Sequence, residues 1–115
     1  MITVTFYTKE TGPKASEASI TGFRSEGHAG YAKHGRDIIC AAVSALVINT
    51  MNSVHALTTD VFAYDTDEKK GMVEFKITSA VSPEASLLLR SLFLGLKNIQ
   101  EEYGEKYLCI VVQNS

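Results

Sequence analysis

Arg36-Asp37-Ile38-Ile39-Cys40-Ala41-Ala42-Val43-Ser44-Ala45-Leu46-Val47 is where the chain changes its period. Ile38, Ile39, Ala42, Val43, Leu46 and Val47 return at helical spacing, and the positions between them are mostly small or apolar. The spacing predicts a helix from Arg36 to about His55. Such a helix, apolar on nearly every side, belongs in a core or an interface.

Upstream the period is that of strands. Ile2, Val4 and Phe6 alternate with Thr3, Thr5 and Tyr7, the pattern of a half-buried strand. Lys9 to Lys14, with Gly12-Pro13, reads as a turn. Ala18 to Ser25 reads as a second strand whose alternation breaks at Gly22, which predicts a bulge or a close backbone approach there. Downstream, Val61 to Tyr64 and Met72 to Thr78 read as a hairpin around the charged turn Asp65 to Lys70. Ser82-Pro83-Glu84 opens a second helix, with serine as cap, proline at the first position and an acid in the first turn. Leu88, Leu89, Leu92, Leu96, Ile99 and Tyr103 form its buried stripe, and Gly104 ends it. Tyr107 to Gln113 is nearly all apolar and β-branched, which predicts a central strand. The order ββαββαβ defines an α+β fold: a two-layer single domain, with two helices packed on a mixed or antiparallel sheet.

Composition narrows the function. The 115 residues carry a net charge of −2, with both signs mixed along the chain. That excludes the clustered basic stripe of a direct nucleic-acid binder. Met1 to Tyr7 reads as a strand rather than a signal peptide. The run Ile38 to Ile48 is too short for a membrane span. With no secretion signal, Cys40 and Cys109 are expected to be reduced thiols, and the chain to be cytoplasmic.

The chemistry gathers where the glycine-punctuated segment Gly27-His28-Ala29-Gly30 to Gly35 meets the first helix. A helix capped at Asp37 makes Cys40 its third residue, beside unpaired backbone N–H groups and the positive end of the macrodipole. That setting favours thiolate, the nucleophilic form. Asp37 opposes the effect as a nearby carboxylate, and also suits a role as cap or as a partner for an imidazole. His28, between Gly27 and Ala29-Gly30, is placed to serve as general base and is preferred to His34. Ser44 lies one turn beyond Cys40 on the same face. The loop Gly27, Gly30, Gly35 is expected to close over an extended peptide. A cysteine in an apolar helix is also a common small core residue. On the residues alone, nucleophile and core residue both stay open.

Gly27-His28-Ala29-Gly30 followed by Asp37-Ile38-Ile39-Cys40-Ala41-Ala42-Val43-Ser44-Ala45-Leu46 resembles the signature of the ribosomal-processing cysteine proteases, the Prp family. The resemblance extends to length, opening strand and order of elements. It implies a cysteine endopeptidase with a Cys40–His28 dyad, supported by Asp37 and Ser44; no cofactor is expected, and no metal, since the spacing of His28, His34, Asp37 and Cys40 fits no standard zinc pattern. It further implies a substrate, the N-terminal extension of large-subunit ribosomal protein twenty-seven, cut after hydrophobic, aromatic residues during ribosome maturation. A homodimer without membrane or direct nucleic-acid partners completes the expectation.

Overall fold

A computed structural model describes residues 1–9, 19–27 and 38–114. The elements run β1 (Ile2–Thr8), β2 (Ile20–Gly27), α1 (Ile38–Leu57), β3 (Phe62–Asp67), β4 (Met72–Ile77), α2 (Pro83–Tyr103) and β5 (Leu108–Asn114). This is the expected ββαββαβ order, in two layers. The sheet order is β3-β4-β2-β1-β5. All neighbours are antiparallel except β1 and β5, so the sheet is mixed.

Strand alternation sends Ile2, Val4 and Phe6 to the helical side, where each is almost wholly buried. Phe6 pairs with Phe23, and Phe23 with Phe75, so three strands bring their aromatic rings into one row. Phe23 stacks on Phe75 with centroids 5.4 Å apart, and Phe75 meets Phe62 at 4.9 Å. Phe93 of α2 stands edge-on to Phe6 at 5.0 Å. Offset and edge contacts of this kind add to what burial alone contributes. Leu89, Leu92 and Leu96 close the core from α2, while Ile39, Val43, Val47 and Val54 do so from α1.

The two helices touch closely at Gly95, where an added Cβ would lie 3.0 Å from Leu46 Cδ1. The 20-residue α1 is by length and hydropathy long enough to cross a bilayer, unlike the shorter run that the sequence suggested. In this fold its Ile39, Val43, Val47 and Val54 edge is core.

The opposite face of the sheet is polar. Tyr7 Oη donates to Glu74 Oε2 at 2.7 Å, with Arg24 on Glu74 and Glu26, and Lys76 Nζ 4.7 Å from the Tyr7 ring centre. Burial, together with the Glu74 carboxylate, pushes the Tyr7 phenol up to about 12. The anomaly anticipated at Gly22 is a close approach: a Cβ there would sit 2.3 Å from the Phe75 carbonyl oxygen, and the β1–β2 register shifts at Tyr7/Thr8.

Several expectations are corrected. β5 is an edge strand, not a central one: only Leu108 is fully buried, and Val111 and Val112 are exposed. Cys109 is half-buried on the polar side beside Thr3. β3 continues to Asp67, because Asp65 and Thr66 pair with Glu74 and Val73, leaving a shorter turn. At the end of α1 the Val54 carbonyl accepts from both the N–H and hydroxyl of Thr58. His55 stands edge-on to Phe62, 5.9 Å away.

Candidate active site

Helix α1 starts at Ile38, so Cys40 is its third residue, in the turn whose N–H groups lack intrahelical acceptors. Cys40 is half-buried. From it, Val43, Ser44, Val47 and Ile48 follow at helical spacing along one edge, which faces the sheet across a cleft. The far wall is built by Ile2 of β1, Ser25 and Gly27 of β2, and Gly71 and Val73 at the start of β4. The cleft offers a space of about 130 Å³.

Gly27 fixes how β2 leaves the sheet. Its φ is +97°, and its N–H donates to the Lys70 carbonyl at 3.1 Å. A Cβ there would lie 2.5 Å from the Met1 carbonyl oxygen, so the position admits only glycine without movement. The residue that follows Gly27 in the chain is His28, and Gly27 shares the cleft with Cys40. His28, Gly30, Gly35 and Asp37, and with them the expected loop closure, lie outside the described residues.

Ser44 is exposed at the mouth of the cleft. It also borders a second, shallower depression formed with Thr66, Asp67, Glu68, Met72 and Val73. The β3–β4 hairpin therefore supplies a wall of the site through Gly71 and Val73, just past the charged turn. Asp67 shapes that hairpin by accepting from the N–H groups of Lys69 and Lys70 at 3.0 and 3.3 Å. Ser25, too, went unnoticed in the sequence. Its only signal was a small residue two places after Phe23, on the inward phase of the strand.

A thiol in the first turn of a core helix, opening on an apolar cleft at a sheet end, has the placement that a cysteine nucleophile needs. Comparison with known proteins narrows the class. The cysteine protease Prp family model matches residues 1–108. The ribosomal processing cysteine protease Prp of Staphylococcus aureus is 30% identical over 89 residues, covering 77% of this chain and 84% of that protein. Its Bacillus subtilis counterpart is 31% identical over 96 residues, covering 80% and 86%. The S. aureus protease crystallised with a covalently linked product peptide superposes with a TM-score of 0.84 at 26% identity, covering 98% of this chain and 100% of that one. The same protease with a substrate peptide gives 0.75, also at 26% identity, with both chains covered in full. The chain belongs to the cysteine protease Prp family.

Proposed function

We propose that this protease removes the N-terminal extension of a large-subunit ribosomal protein, protein twenty-seven, and works in the cytoplasm as a homodimer. The observation that carries the reading is the shared cleft: Cys40 on one wall, and on the other Gly27, the residue that delivers the chain to His28. Relatives named ribosomal processing proteases, one of them crystallised with substrate and product peptides, support the choice of an extended peptide.

In this reading the Cys40 thiolate, favoured by the positive end of α1, attacks the scissile carbonyl carbon. The N–H groups of the first turn of α1, which lack intrahelical acceptors, are the donors we assign to the resulting oxyanion. His28 protonates the leaving amine, and a water that it deprotonates then hydrolyses the thioester, releasing Cys40. Asp37 and Ser44 support the site, Ser44 from the turn of α1 next to the thiol.

The test is cleavage of the extended ribosomal protein by wild type, Cys40→Ala and His28→Ala, read by intact mass. One defined cut by wild type, absent in Cys40→Ala and reduced by at least about a hundredfold in His28→Ala, is expected. A cut that survives in Cys40→Ala removes the dyad from the reaction.

A further inference from the structure

The cleft beside Cys40 exists because two consecutive inward-facing positions of β2 lack bulk. One inward row across the sheet reads Ile110, Val4, Ser25, Val73, Thr66; the next reads Leu108, Ile2, Gly27. Phe23, the preceding inward residue of β2, is fully buried. At Ser25 and Gly27 the side chains shrink to a hydroxymethyl and a hydrogen. The missing volume lies directly beneath Cys40, Val43, Ser44 and Val47 of α1.

Of the two, only Ser25 is adjustable. Gly27 is held by its positive φ and by the Met1 carbonyl, so a larger residue enters only if the end of β2 moves. Ser25 is 9% exposed and sits between two valines, Val4 and Val73, where a branched apolar residue would complete the row and fill the space.

We propose that Ser25 is the specificity-determining residue of the pocket next to the thiol, setting its depth so that one bulky apolar side chain of the peptide enters. The inference rests on the protease reading and adds to it the residue that gauges the substrate. Size agrees: a closed apolar cavity of about 150 Å³ takes up benzene, and this one offers about 130 Å³. Chemistry agrees as well, since among the described residues Ile2, Val43, Val47, Ile48 and Val73 supply apolar walls beside the Cys40 thiol.

The experiment compares the rates at which Cys40 is alkylated by iodoacetamide and by its N-benzyl analogue, with the modified residue located by peptide mass mapping. It is run on wild type, Ser25→Ala, Ser25→Val and Ser25→Leu, and requires no proteolysis. Wild type and Ser25→Ala are expected to prefer the benzyl reagent by about tenfold or more, the worth of one filled apolar subsite. Ser25→Leu loses the preference and Ser25→Val falls between. The iodoacetamide rate stays within about twofold throughout, reporting an intact thiol, and Ser25→Val covers the case in which leucine overpacks the fold. Equal preference in all four proteins overturns the assignment of Ser25 while leaving the protease reading standing. A benzyl preference graded by residue 25, in a protein that does not cut the extended ribosomal protein, keeps the pocket and discards that substrate.

Discussion

Gly27 carries three constraints in one residue: a φ of +97°, a hydrogen bond to Lys70, and a carbonyl 2.5 Å from where a Cβ would stand. An alanine there is strained in backbone and side chain together, at a cost of about 1–3 kcal/mol. Relief requires the end of β2 to shift, and that end leads into His28. We expect Gly27→Ala to lower kcat/KM by more than tenfold while the chain still folds, with a Tm depressed by several degrees. Steady-state kinetics beside a thermal melt checks this; full activity in a destabilised protein would detach Gly27 from the placement of the histidine. The sequence already displayed this residue within a glycine-punctuated loop, and it displayed Cys40 at a helix start, because both depend on local chain chemistry. Ser25 was hidden for the opposite reason. Its meaning comes from Val4 and Val73 on neighbouring strands and from the helix above, none of which adjoins it in the chain.

At the scale of elements, the two halves of the fold are tied together at Asp60. Its carboxylate accepts from the N–H of Ser82, the N-cap of α2, at 2.8 Å, and its own N–H donates to Thr58 at 3.2 Å. Desolvation opposes the charge on Asp60, but the hydrogen bonds from Ser82 and Thr58 outweigh it and hold the carboxyl below the ordinary range. A carboxyl with its folded pKa depressed stabilises the fold above the unfolded value of about 4, and that contribution fades as pH falls through the folded value. Asp60→Asn should therefore be less stable than wild type at neutral pH, and the gap should close in acid. Urea midpoints across that range decide it; a gap that widens in acid would reverse the sign assigned to Asp60. Local signals of this type, Ser82-Pro83 and Gly104, made α2 legible in the sequence to the residue. β5 was misjudged because apolar, β-branched strands are common at sheet centres, whereas here β5 closes one edge beyond β1. Strand order is set by which edge α2 returns the chain to, and no period in the sequence encodes that.

At the scale of the molecule, α1 carries more apolar surface than one domain covers. Ile39, Val43, Val47 and Val54 line the core, yet Ile38 and Ile48 are 51% and 54% exposed, with Ala41 and Ala45 open between them. These four residues are spaced by three and four positions, so they share one stripe, and the alanines let a second helix approach closely. An all-round apolar helix with one side bare suits an interface, and the proposed homodimer gives that side a partner. α2 offers a competing surface in Leu87 and Leu94, each about 60% exposed. The two surfaces separate by single changes. Ala45→Arg puts a charge in the middle of the α1 stripe, and Leu94→Arg does the same on α2. If the α1 stripe is the seam, Ala45→Arg sediments as a monomer at concentrations where wild type and Leu94→Arg remain dimers. Wild type should also melt at a temperature that climbs with protein concentration, a dependence lost in Ala45→Arg, because association stabilises by mass action. Dissociation by Leu94→Arg alone would move the seam to α2 and leave the α1 stripe exposed in the dimer.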